Sequence, residues 1–462
     1  MVRVTANIGP GIITPEKEMT TMLKIMGSMS LLKSRLLVNI HPHYNIFISP
    51  APVLELGFIL NYTLGKTMSL DLSKVAAQVG GMITRLIDGA AERQQRLRTA
   101  LDTLSNPAID LETLQKKIAG ARTTWLVAEL TESLDRHYPT PPLPPDFSVI
   151  ATDGSHIDVD RHRAARYYLI NTGSAVLHYG SAPFAELISE PHLYASDEEL
   201  VITPPGSRGR ELPIEGNLLG AKRSIEECRQ LVKLAMEVPP DFPTLALQDG
   251  TLILWGLEAY PDFVTDVLLH KGFLPCLDDM HKLNETRPFA PASYISFPRS
   301  TDVVNVLRLV ICPQQPVDCD RCETRDCEVV AGVRDRDLFA DLLAEGERSA
   351  LFISPSKVSR DHYGMNRIYF YYLNVGEEIA RIEIPQWAAE NESLFNMSHS
   401  LVLDQCRRGQ GYPVALSEAH EQAVVTGADR EYFWQLLDET LVAEKILTHT
   451  SAKSFSKKTR WV

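Results

Sequence analysis

FSVIATDGS at 147–155 and TLALQDGT at 244–251 are apolar runs that each close on Asp, Gly and a hydroxyl residue. Short apolar runs with such an ending read as buried strands. A buried strand places its last side chain reproducibly, and the neighbouring Gly lets the backbone turn sharply or a ligand come close. Asp153 and Asp249, set this way on one sheet, could bind hard divalent cations through oxygen. Two such ions can activate water and stabilise the leaving oxygen of a phosphodiester. Asp-Gly is also the commonest hairpin turn, so each stretch taken alone reads better as a turn than as a ligand. The repeated context keeps the metal reading open.

Around these two stretches, strands and helices alternate. Residues 165–180 read as one or two strands with a Gly-Ser turn, and 218–237 as a helix. A further apolar helix starts at 301, another lies near 335–346, and 366–376 with 379–387 look like a hairpin. The stretches 398–407, 416–425 and 429–443 are mainly helical. Such alternation predicts an α/β domain with a mixed sheet and flanking helices. On the helix at 218–237, Ile225, Cys228, Leu231, Val232, Leu234 and Ala235 make one apolar face at helical spacing. Glu226 points nearly opposite that face, whereas Glu227 lies at its margin, where a third metal-binding carboxylate would have to be. Glu227 is therefore preferred, with Glu226 in reserve and two solvated surface residues as the plain alternative.

Upstream, MSLDLSKVAAQVGGMITRLIDGAAERQQRLRTALDTL opens at Met68 with helical periodicity and Ser69 as N-cap. A second helix is expected over 110–135, making 68–136 a helical segment. HYPTPPLPPD at 137–146 holds five prolines and reads as a stiff linker. Residues 1–67 lack any sustained period; either they form an extension or Met68 is the true start. The domain proper is expected over 147–445, and 446–462 is a polar basic tail.

The 462 residues suggest two or three folding units, and 44% hydrophobic with 23% charged residues is ordinary for a soluble globular protein. The most apolar stretch, Leu36 to Leu54, is broken by Asn39, His41, Pro42, His43, Asn45, Pro50 and Pro52, so no membrane span is expected. No secretory signal pattern opens the chain, and seven cysteines are no disulfide framework; both point to a reducing cytoplasm. A net charge of −13 argues against casual nucleic-acid binding, though it permits a local basic channel.

The order ATDGS, a Glu-bearing helix, LQDGT and then GYPVALSEAHEQAVV (411–425) resembles the NurA family of DNA-end-processing nucleases. YISFPRSTDVV (294–304) and IARIEIPQW (379–387) add to the resemblance. It implies an RNase H-like core with manganese or magnesium at an acidic cluster. It also implies 5′ to 3′ degradation of DNA ends and cutting of single strands. Partners implied are DNA, a second copy in a homodimer, and a hexameric HerA-type ATPase translocase in double-strand-break resection. The family's carboxylates fall on Asp153, Asp249 and Glu227 or Glu226, and its Tyr and His on Tyr412 and His420. His420 could position or deprotonate the attacking water or ligate the metal, and Tyr412 could hold a phosphate or stack on a base. The plain alternatives are a packed turn tyrosine and a satisfied helix histidine.

CPQQPVDCDRCETRDC places Cys312, Cys319, Cys322 and Cys327 close enough in sequence for a structural zinc or an iron–sulfur cluster, or for a loop of reduced thiols. Arg299 and Ser300 could contact phosphate, and RHRAAR at 161–166 could line DNA, but a helix start needing no ligand and a solvated turn explain them better. No GxxxxGK[ST] occurs, so any motor must be a partner. The competing reading is a non-catalytic scaffold for a translocase. A metal-free carboxylate-pair hydrolase such as a glycosidase is the weaker third.

Overall fold

The computed structural model describes residues 70–106, 110–159, 166–206 and 209–446. The expected extension at 1–67, most of the tail at 446–462, and residues 161–165 of RHRAAR lie outside these. Residues up to Ala91 and those from Glu92 onward belong to two separate compact units. In the first, helix α1 (Leu72–Asp88) carries exposed Val79, Met82, Ile83 and Leu86. Its N-cap is Asp71 rather than Ser69: the Asp71 carboxylate accepts from Ser73 N and Lys74 N at 3.1 and 3.2 Å. The periodic pattern from Met68 breaks at Gly89, after which α2 (Ala90–Leu104) follows.

The helix expected over 110–135 is shorter. It is α3 (Leu111–Gly120), capped by Asp110 and ending where Gly120 and the Thr-rich 121–124 weaken helix propensity. Short strands follow: β1 (Glu129–Leu130) and β2 (His137–Tyr138). The proline-rich stretch thus opens with a strand that pairs into the sheet.

Nine further strands complete that sheet: β3 (Phe147–Ile157), β4 (Tyr168–Tyr179), β5 (Phe184–Tyr194), β6 (Thr244–Asp249), β7 (Phe289–Ile295), β8 (Arg348–Ser349), β9 (Phe352–Ile353), β10 (Ile368–Asn374) and β11 (Ile379–Pro385). The order is β1-β9-β10-β11-β7-β6-β3-β4-β5, with β8 pairing to β10 and β2. β3, β6 and β7 run parallel, while β3–β4–β5 and β7–β11–β10 are antiparallel. Three antiparallel strands continued by two parallel ones form the RNase H-like part of this mixed α/β sheet. Helices α4 (Asn217–Glu237), α5 (Asp302–Ile311), α6 (Glu392–Arg408), α7 (Val414–Ala423) and α8 (Gly427–Ala443) accompany it. Among the described residues no helix is long and apolar enough to cross a membrane.

Two strand expectations change in an informative way. β3 does not stop at Asp153; β4 keeps pairing with it through Ile157, so only β6 ends at this level. Nor does a turn form at Gly173-Ser174, which lie inside the continuous β4. Gly173 is needed for close approach instead: a Cβ there would overlap Ala419 O and Ala423 N of α7.

Candidate active site

Side chains alternate between the two faces of a strand, so the register fixes which residues share a side. Gly173 lies against α7 and pairs with Asp153, which therefore faces α7 as well. Thr152 pairs with Gln248 on the opposite face, under α4, and the next β6 residue, Asp249, returns to the Asp153 side. The sheet thus sets two carboxylates side by side where β6 ends.

Both are gripped by the same C-terminal segment. Tyr412 donates its phenolic hydrogen to Asp249 Oδ1 at 2.9 Å, and His420 Nδ1 lies 2.6 Å from Asp153 Oδ2. A carboxylate accepts only, so His420 donates from Nδ1, and in the neutral ring Nε2 is then the acceptor. With 61% of its side chain exposed, that acceptor can reach solvent. Asp153 Oδ1 takes the Gly154 N–H at 2.7 Å. Burial raises the Asp249 carboxyl above its usual range; the Tyr412 hydrogen bond opposes this and the charge on Asp153 adds to it. Burial also raises the Tyr412 phenol, helped by Asp249, and so keeps it a proton donor.

Glu227 approaches from α4 on the other face. It reaches the edge because Gly154 has no side chain: a Cβ there would lie 2.5 Å from Glu227 Oε1. Its Oε2 accepts from Gln248 Nε2 at 3.2 Å, and Arg223 Nε lies 3.0 Å from Oε1. That last pair is an ion pair without hydrogen-bond alignment, so Oε1 is buried and lacks a donor. Only 3% of Glu227 is exposed, and burial pushes its carboxyl up to about 7; Arg223 opposes the shift and Asp153 reinforces it. Glu226 is engaged elsewhere, with Lys222 and Arg229 at 2.6 and 2.8 Å. The raised folded value means Glu227 favours folding most below the ordinary carboxyl range, and that contribution is lost as pH rises through about 7. Metal-free Glu227→Gln should therefore melt higher than the parent at pH 8, by a gain on the order of 1 kcal/mol, and show no gain at pH 4. A lower melting point at pH 8 would mean that pairing with Arg223 outweighs burial.

Among the described residues no three His, Cys, Asp or Glu side chains converge closely enough to hold a metal ion. The donor chemistry nonetheless suits one: all-oxygen ligands, with Glu227 Oε1 buried and undonated beside the gap at Gly154. Cys312, Cys319, Cys322 and Cys327 are free thiols and fall under the same statement. Contacts that hold their loop are Lys117 Nζ on Cys312 O at 2.6 Å, Arg122 bridged to Asp318, and Arg308 3.7 Å from Cys327 Sγ.

A NurA domain model matches residues 147–425 of the chain. The chain belongs to the NurA family. This is a family of metal-dependent nucleases in DNA end processing. Comparison with curated proteins brings no match. Within the NurA domain, two buried residues that sequence reading did not single out sit behind Asp249. Glu383 Oε2 accepts from Thr251 Oγ1 and Leu252 N at 2.7 and 3.1 Å, anchoring the chain just past Asp249. Arg381 holds Glu383 Oε1 from Nε and Nη2, each at 3.0 Å, and Asp302 Oδ2 from Nη1 at 2.9 Å. Their signal was present: two opposite charges two residues apart in an apolar strand share one face. Ser300 hydrogen-bonds Tyr372 OH at 2.8 Å, while Arg299 is exposed.

The Gly173 contact carries its own prediction. Gly173→Ala should destabilise the NurA domain by about 1–3 kcal/mol, because the helix backbone must shift to admit the methyl group. The same shift moves His420, and about 10- to 100-fold of any cleavage rate should go with it. Unchanged melting and an unchanged rate would show that α7 tolerates the displacement.

Proposed function

We propose that this chain is a divalent-metal-dependent deoxyribonuclease that degrades DNA ends 5′ to 3′ and cuts single strands. One observation carries the reading: Asp153 and Asp249 lie side by side, each bound by a residue of one distant segment, His420 and Tyr412. Asp153, Asp249 and Glu227 are the groups that would hold manganese or magnesium. The ion, when bound, would supply a Lewis acid for the phosphoryl oxygens and a lowered pKa for water. The protein's own groups do the rest. Asp153 fixes the His420 ring so that Nε2 is aimed outward to orient water and take its proton. Tyr412, held protonated, gives its single hydrogen to Asp249 and so orients that carboxylate at the edge. Arg223, about one-third exposed, offers a cation at the same edge.

The family context supports action in double-strand-break resection, as a homodimer with a HerA-type translocase. The scaffold reading is less favoured, because the acidic groups and both of their partners are all present. The test is incubation of linear duplex, circular and single-stranded DNA, labelled at either end, with Mn2+ or Mg2+. Cleavage of linear and single-stranded DNA, with 5′ label released first, is expected; no cleavage of any substrate would overturn the reading.

A further inference from the structure

β7 carries the chain past Asp249, since Asp249 pairs with Tyr294 and Gly250 N donates to Tyr294 O at 3.0 Å. Three residues on is Phe297, at most about 10 Å further along the chain. Its φ of +44° is one that bulky L residues rarely adopt, and 56% of it is exposed. A ring more than half exposed gains little from burial, yet it is held firmly. Glu378 accepts from Phe297 N at 2.8 Å, from Ser296 Oγ at 2.9 Å and from Tyr294 OH at 2.7 Å. Arg336 donates to Phe297 O at 3.1 Å and lies 5.3 Å from the ring centroid. Tyr294 in turn meets Tyr412 edge to face at 5.4 Å, so the platform is continuous with the acidic edge.

We propose that Phe297, backed by Arg336, is a stacking platform for one nucleobase of a single strand whose backbone crosses Asp153 and Asp249. The proposal rests on the nuclease reading and names how its substrate is seated. A fixed, solvent-facing ring stacks on any base without reading sequence. The planar guanidinium of Arg336 stiffens the ring and adds a cation next to the strand. Exposed Arg299, two residues on, is placed for a neighbouring phosphate.

The experiment measures binding of fluorescein-labelled single-stranded DNA to the full chain by anisotropy in Ca2+, with cleavage in Mn2+ followed in parallel. Phe297→Gly removes the ring and suits the positive φ, so the fold is expected to hold; Phe297→Trp keeps a ring. The expected result is binding weakened about 5- to 100-fold by Phe297→Gly and retained by Phe297→Trp. An oligonucleotide with abasic sites should bind wild type and Phe297→Gly equally. Equal affinity of both proteins for normal DNA overturns the platform, as does equal weakening on abasic DNA. A change of mass on Phe297→Gly in light scattering, accounting for the lost affinity, assigns Phe297 to a protein interface and also overturns it. Cleavage without any Phe297 effect removes this inference alone. A base-dependent Phe297 effect without cleavage contradicts the nuclease reading and leaves the platform standing.

Discussion

Asp153→Asn and Asp249→Asn should each leave a folded protein whose DNA cleavage has dropped by about 1000-fold, the several kcal/mol that a Lewis-acid ion contributes. Both substitutions keep side-chain volume and one oxygen, so Tyr412 can still donate to position 249. What disappears is the charge. The two losses should differ in kind. At position 153 one oxygen must replace two, since Gly154 N–H and His420 Nδ1 each donate to a different oxygen of Asp153, so Asp153→Asn also loosens the His420 ring. The Asp153→Asn loss should therefore be the larger of the two, with Asp249→Asn losing charge alone. Because the groups act on one step, the double substitution should cost little more than the worse single one. Rates within threefold of the parent in both singles would remove the carboxylates from the chemistry.

Arg381→Ala should cost about 3–5 kcal/mol of stability, read as a lower denaturant midpoint, because it leaves Glu383 and Asp302 as buried, uncompensated carboxylates. Arg381 is itself buried, which alone would lower its pKa; Glu383 and Asp302 outweigh that and hold the guanidinium firmly charged. It also lies 3.6 Å from the centre of the Phe370 ring, so the truncation loses packing too. Arg381→Lys should recover only part, since one ammonium cannot reproduce a fork shared between two carboxylates. A midpoint unchanged within about 1 kcal/mol would mean the pair is solvated in solution. Cleavage should fall with stability here, through the Glu383 contacts to Thr251 and Leu252 behind Asp249.

Much of this was readable in advance where burial imposes a pattern. β3, β6 and the β10–β11 hairpin stand out as short, mostly apolar buried runs, and α4, α6 and α7 by their helical spacing. β7 was not found: FAPASYI carries Pro291, which argues against a central strand, yet it lies between β6 and β11. β5 was missed for the opposite reason, being an edge strand exposed along nearly its whole length. At Asp153 the local sequence was misleading, because Asp-Gly suggests an ending that pairing to β4 overrides. The preference for Glu227 over Glu226 came from helical periodicity alone. That Glu227 reaches the edge through the gap at Gly154, from the opposite face, depends on how sheet and helix pack and leaves no local trace. The same holds for Tyr412 and His420, which lie 163 and 267 residues from the carboxylates they bind.

The most direct test is a cleavage assay on one preparation of the full chain, stripped with chelator and then given Mn2+. Single-stranded DNA should stay intact in chelator, be cut once Mn2+ returns, and stay intact with Asp153→Asn or Asp249→Asn at the same Mn2+. Cutting that persists in chelator, or that survives both substitutions, would contradict a metal-binding carboxylate edge as the source of the activity.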